Sequence, residues 1–263
     1  MRNILLTISY DGTDFCGWQR QDECNGNEAF RTVQGTIENA LEKIHGEKIN
    51  LYGSGRTDSG VHAFSQAANF FSPIESIPIE KYPLILNNAL PYDIRIMSAC
   101  EVEENFNARF SATSRVYRYF LFTDDYVPAN FTRYVWHIKR QPSLKKLNAL
   151  ASFLQGELDC ATFTASGDAS LSTSRYIEKA HFFYDDVSPF GKNLVFEIEA
   201  NAFLYKMVRS ITGTILHLEK LGEADDALQK ILLSKDRKNA GPTAPASGLF
   251  LWQVKFNGIR RHI

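Results

Sequence analysis

The order in which apolar periodicities follow one another restricts the fold of this chain more than any other feature. Residues 3–10 set Ile4, Leu6 and Ile8 against Leu5, Thr7 and Ser9, the period of a half-buried strand. Val33, Ile37, Leu41 and Ile44 then recur at helical spacing. Thr32 precedes them as an N-cap residue type, and Gly46 stands where a left-handed C-cap residue belongs. Strands at 50–52 and 67–71, a helix at 80–89 and a strand at 93–102 complete the first hundred residues. Strand, helix, strand, strand, helix, strand is the split order of a ferredoxin-like unit.

The second half repeats the theme with larger pieces. Strands are expected at 115–123, 175–184, 194–200 and 250–256, and helices at 143–154, 203–218 and 223–233. No Pro-, Gly- or Ser-rich linker separates the halves. The prediction is an α+β fold of two ferredoxin-like halves, residues 1–105 and 106–263, around a shared antiparallel sheet.

Composition narrows the setting. At 263 residues, 44% hydrophobic and 22% charged, the chain buries enough surface to need no staples. Cys16, Cys24, Cys100 and Cys160 are scattered, with neither zinc-ligand spacing nor a disulfide framework. The apolar part of residues 3–10 is too short for a signal segment, and no stretch approaches the ~20 apolar residues that span a bilayer. A cytoplasmic protein without a membrane partner is expected. Net charge is only -1, yet residues 106–146 hold eight Lys or Arg against two acids. Such a run suits docking of a polyanion or a plain solvated face, and charge alone does not choose.

The densest chemical signal is Gly53-Ser54-Gly55-Arg56-Thr57-Asp58-Ser59-Gly60-Val61-His62. Its glycines permit tight turns and close backbone approach to a ligand. A dinucleotide fingerprint fails, because Asp58 occupies the third glycine position and a strand rather than a helix follows. A P-loop fails for want of Gly-Lys-Ser/Thr. The residues alone leave two readings open, a functional loop and a structural turn whose Asp bonds its own backbone.

The string from Gly55 to Ala63 resembles the catalytic loop of the tRNA pseudouridine synthase A family. Four further segments resemble that family's signatures in the same order: Tyr10 to Thr13 with Gly17 to Gln21, Phe106 to Tyr119, Asn201 to Arg209, and Ala246 to Leu249. Ser59 stands where the family often has Ala, and the stretch 22–31 is longer than in the family. The resemblance implies an isomerase that needs no cofactor. It acts on uridines 38, 39 and 40 of the tRNA anticodon stem-loop, as a homodimer, and holds Asp58 as nucleophile in a central catalytic cleft.

The residue types suit that chemistry. An aspartate, with a reference pKa about 3.9, is ionised at neutral pH without an activating base. It needs positioning and protection from water. The resemblance pairs Arg209 with Asp58 and stacks Tyr117 on the target base, where it takes the C5 proton. Arg56 is placed to reach RNA near the flipped nucleotide. Read without the family, a surface arginine stays open for Arg209, which projects from a different side of its helix than the apolar face, and a core strand residue for Tyr117. Tyr119 is expected in the core, and His62 as a support of the turn. Rival readings are an RNA-binding protein that has lost the chemistry, and a nucleotide-binding oxidoreductase built on the Gly53 loop.

Overall fold

The computed structural model describes residues 1–21 and 30–261. The long stretch expected at 22–31 therefore lies mostly outside the described residues. Two compact units emerge, residues 1–113 with 251–258 and residues 114–250 with 259–263. The fold is mixed α+β, and antiparallel strand pairing dominates it.

The first unit contains β1 (Arg2–Tyr10), α1 (Val33–His45), β2 (Tyr52–Gly53), β3 (His62–Ser72), α2 (Tyr82–Ala89) and β4 (Ile94–Val102). Strand β1 runs antiparallel to both β3 and β4, and β2 pairs with the far side of β3. The order β4-β1-β3-β2 is that of a ferredoxin-like sheet. Ile4, Leu6 and Ile8 are fully buried on one face of β1. Phe70 shares that face by pairing with Ile4, and it meets His45 of α1 and Tyr82 of α2 with ring centroids 5.8 and 5.7 Å away. The helices thus cover this face. On the other face, Asn3 Nδ2 donates to the carbonyls of Glu103 and Phe106 (2.8 and 2.9 Å), and Asn69 Oδ1 accepts the Ala108 N–H (2.8 Å). Two buried amides therefore seat the segment around Phe106.

Local chemistry sets the ends of α1. Thr32 Oγ1 accepts the Gly35 N–H, and Gly46 closes the helix at φ 74°. Strand β3 is longer than the expected 67–71, because it starts at His62. Its polar residues His62 and Gln66 are fully buried; Gly12 N–H donates to His62 Nδ1 (3.0 Å), which also lies 3.2 Å from Asp11 Oδ1, and Gln66 Nε2 donates to Gly55 O (2.9 Å).

The second unit contains β5 (Ser114–Phe122), β6 (Trp136–His137), α3 (Leu144–Ala151), β7 (Gly156–Asp159), β8 (Ser174–Asp185), β9 (Asn193–Ala200), α4 (Met207–Leu221) and α5 (Ala227–Ser234). A last strand, β10 (Leu249–Lys255), has residues in both units. Antiparallel pairing gives β5-β9-β8-β7, and β6 joins β5 in parallel. With β6 and β7 set aside, strand, helix, strand, strand, helix repeats the order of the first unit. Phe182 and Phe196 stack across β8 and β9 at 4.5 Å. Asn148 fixes α3 to β8 by bonding both the N–H and the C=O of Phe182 (2.7 and 2.9 Å).

Strands β6 and β7 were not expected from the sequence. Helix α4 also differs from expectation: it starts at Met207 rather than 203 and extends to Leu221. The cause is Lys206, a non-glycine residue at φ 58°, which interrupts the helical path.

Candidate active site

The segment 53–62 is clamped from several sides by residues 10–18. Gly17 adopts φ 99°, and a Cβ there would stand 2.7 Å from the Thr57 carbonyl oxygen. That close approach lets Trp18 N–H reach the same oxygen at 3.1 Å. The Trp18 indole lies against Gly53, where a Cβ would fall 2.5 Å from Nε1. Gly12 packs on the Val61 carbonyl, leaving 2.0 Å for a Cβ, and gives its N–H to the buried His62. Ser59 Oγ and the Gly60 N–H both donate to the Phe15 carbonyl (3.2 and 3.4 Å). Within the loop, Val61 N–H closes a turn on Asp58 O at 3.1 Å, and Gly60 at φ 76° completes it.

These contacts fix the backbone on both sides of Asp58, whose side chain is half-buried, while Arg56 is exposed. Tyr10 and Thr57, both buried, share a hydroxyl–hydroxyl bond of 2.8 Å. A carboxylate on a stretch this constrained is positioned with little conformational freedom left to lose.

Tyr117 and Arg209 belong to the second unit. Arg115, Tyr117 and Tyr119 share a face of β5, opposite Ala200, Ile198 and Phe196 of β9. Tyr117 is 7% exposed, and its ring meets Phe203 edge-on at 5.0 Å. Arg115 gives Nη1 to the Asn201 carbonyl (2.8 Å). Tyr119 is fully buried and donates its hydroxyl to Pro245 O at 2.7 Å. Burial pushes the Tyr119 phenol well above its usual range, against the nearby positive charge of Arg209.

Arg209 sits half-buried in the first turn of α4. Its Nε donates to Ala244 O (2.8 Å), and its own carbonyl accepts the Ala244 N–H (3.1 Å). The segment 240–248 lies along α4 because Gly213 presents no side chain there. Gly241 N–H also reaches Thr214 Oγ1 at 2.9 Å.

Sequence reasoning passed over Asp168. Its carboxylate accepts the Tyr205 N–H and, at 2.7 Å, the Ser170 N–H. Burial alone would raise this carboxyl, but the donors at Ser170 and Tyr205 outweigh it and hold it below its usual value. Ala165 N–H binds the Tyr205 carbonyl at 3.1 Å. Together these contacts hold the strained Lys206 turn that starts α4. An Asp between Gly and Ala in a polar loop carries no signal of that partnership, which spans 37 residues.

Part of the basic run is engaged within the protein. Arg118 binds Glu197 (2.7 Å), Arg140 binds Glu219, and Lys146 binds Asp225 (2.6 Å). Arg109, Arg133, Lys139 and Lys145 keep exposed side chains. Among the described residues, no group of three or more His, Cys, Asp or Glu side chains is arranged to hold a metal ion. Likewise, no helix there is long and apolar enough to cross a membrane.

A ferredoxin-like unit holds an aspartate loop under backbone clamps, and a second unit repeats its strand-helix-strand-strand-helix order once β6 and β7 are set aside. The chain matches the family model described as tRNA pseudouridine synthase over residues 6–111 and 150–257. It is 54% identical over 255 residues to tRNA pseudouridine synthase A of Treponema denticola, covering 97% of this chain and 93% of that protein. It is 49% identical to the protein of that name from Treponema pallidum (strain Nichols), covering 92% and 84%. The Brachyspira hyodysenteriae protein of the same name is 41% identical, covering 97% and 99%. The chain belongs to the tRNA pseudouridine synthase family and is an isomerase.

Proposed function

We propose that this protein isomerises uridines 38, 39 and 40 of the tRNA anticodon stem-loop to pseudouridine, with Asp58 as nucleophile. The reaction breaks the bond from uracil N1 to ribose C1′, joins C1′ to C5, releases the C5 proton and places a proton on N1. Bonds and electrons balance within the substrate, so the chemistry calls for no oxidant, reductant or cofactor. The observation that carries the reading is the Asp58 loop, whose backbone is clamped on both sides by residues 12–18 while Asp58 itself is only half-buried. The names of the relatives support the tRNA substrate.

Residues 1–105 supply Asp58 and Arg56, and residues 106–263 supply Tyr117 and Arg209. Arg209 pairs with the Asp58 carboxylate, Tyr117 stacks on the target base and accepts the C5 proton, and Arg56 meets phosphate near the extruded nucleotide. Extrusion costs a few kcal/mol, which phosphate contacts from exposed cations offset. The enzyme works in the cytoplasm as a homodimer.

The test is release of tritium from C5-tritiated uridine in unmodified tRNA transcripts, wild type against Asp58→Ala. Release by the wild type alone, with tRNA affinity kept within a few-fold in the variant, supports the assignment. Equal release by both removes Asp58 from the chemistry, and tight binding without release by either favours an RNA-binding protein that has lost activity.

A further inference from the structure

A buried contact between side chains joins Tyr10 to Thr57, the residue before Asp58. Tyr10 ends β1 and is 4% exposed. Its ring lies 6.0 Å from the Trp18 indole, which itself rests on Gly53. The phenolic oxygen meets Thr57 Oγ1 at 2.8 Å in a buried setting. Thr57 is thereby held at two points, its carbonyl by the Trp18 N–H (3.1 Å) and its hydroxyl by Tyr10.

Thr57 is β-branched, so one bond to its hydroxyl selects a χ1 rotamer and fixes the side chain against the backbone that carries it. The next residue is Asp58. Downstream of it, the turn from Asp58 O to Val61 N–H and the two donors to Phe15 O fix the chain. Upstream, the Thr57 anchor does the same work. A hydroxyl left without its partner in this buried position would seek another acceptor, and the rotamer and local backbone would move with it.

We infer that Tyr10 is a positioning residue for the nucleophile: its hydroxyl locks Thr57 and so sets the direction in which Asp58 presents its carboxylate. Trp18 and Gly17 set where the loop lies, and Tyr10 sets how it is rotated. The inference rests on the reading of Asp58 given above.

The experiment compares Tyr10→Phe, Thr57→Val and the double variant by single-turnover tritium release, tRNA affinity and thermal melting. Tyr10→Phe removes one oxygen and leaves the ring packing, and Thr57→Val keeps the branched shape. Each single variant is expected to lose roughly tenfold to a hundredfold in rate, the scale of a small misplacement of a reacting group. Affinity for tRNA changes by less than about threefold, because neither hydroxyl is placed to meet phosphate. The double variant is no slower than the worse single one, since both remove the same bond. Thr57→Ser, which restores a hydroxyl, regains most of the rate lost in Thr57→Val.

A wild-type rate in Tyr10→Phe overturns the inference, as do multiplicative losses in the double variant. Loss confined to melting temperature, with the folded enzyme fully active, makes the bond purely structural and also overturns it. Activity in Asp58→Ala would instead bring down the underlying reading, an outcome distinct from failure of the Tyr10 role alone.

Discussion

Gly213→Ala tests whether the segment 240–248 is seated on α4 as tightly as the geometry requires. In an ordinary helix interior the change should stabilise by about 1 kcal/mol, because alanine is the better helix former. Here an added Cβ would lie 1.9 Å from the Pro242 carbonyl oxygen and 3.0 Å from the Ala244 nitrogen. Ordinary contact begins near 3.4 Å, so the carbonyl must retreat by about 1.5 Å. Among the bonds that hold that segment are Gly241 N–H to Thr214, Ala244 N–H to Arg209 O, Arg209 Nε to Ala244 O, and Tyr119 to Pro245 O. Losing two of them costs about 2 kcal/mol. Residual overpacking strain adds about 1–3 kcal/mol. Set against the gain in propensity, the net is a destabilisation of about 2–4 kcal/mol, or a fall of roughly 4–8 °C in Tm. Differential scanning calorimetry reads the sign directly. An unchanged or raised Tm would mean that helix propensity decides and that the segment is not seated as described.

Gly12→Ala should drive the Val61 carbonyl out of the turn that follows Asp58, since a Cβ would stand 2.0 Å away, and lower the single-turnover rate at least about tenfold. Retained activity would show that the turn tolerates the shift. Glu197 bridges Arg118 and Lys179; burial alone would raise its carboxyl, but the two cations outweigh that and hold it below its ordinary 4.5. Its stabilisation is thus complete above about pH 4.5 and is lost as pH falls through the lowered value, so the Tm advantage of wild type over Glu197→Gln should shrink there. A pH-independent difference would contradict this. Lys145→Ala should weaken all tRNAs alike and reduce the slope of log affinity against log salt by roughly 0.7–0.9, the value of one phosphate contact. Lys146→Ala should barely move that slope, because the ammonium lies 2.6 Å from Asp225, and filter binding over a salt series separates the two.

What the sequence made legible follows the range of the interactions involved. Helix α1 was readable from end to end because Thr32 and Gly46 act within one turn of the helix they bound. The start of α4 was not, because Lys206 holds φ 58° through contacts from Asp168 and Ala165 to Tyr205, and no local residue announces them. Strand β3 was cut short because His62 and Gln66 look like loop residues until their backbone partners are known. The four polar-flanked residues of β7 acquire their strand character only by pairing with β8. The basic run was legible as composition, but its acidic partners Glu197, Glu219 and Asp225 come from 79 residues away in each case. At the candidate site, the Asp58 string is contiguous and readable, whereas the bond from Tyr10 to Thr57 crosses 47 residues.

That contrast bears on how the loop is specified. Aspartate brings its charge with the residue type, so the surrounding fold can be devoted to geometry. The contacts around Asp58 bear this out in kind: three are close approaches at Gly12, Gly17 and Gly53, and most of the rest are hydrogen bonds to backbone carbonyls. Glycine approaches admit no substitute larger than hydrogen without moving backbone, and backbone bonds do not depend on side-chain identity. Tolerance should therefore divide by mechanism rather than by distance from Asp58. Ser59, adjacent to Asp58, supplies only one of two donors to Phe15 O, and the Gly60 N–H remains if it is replaced. Gly12, far away in sequence, has no such reserve.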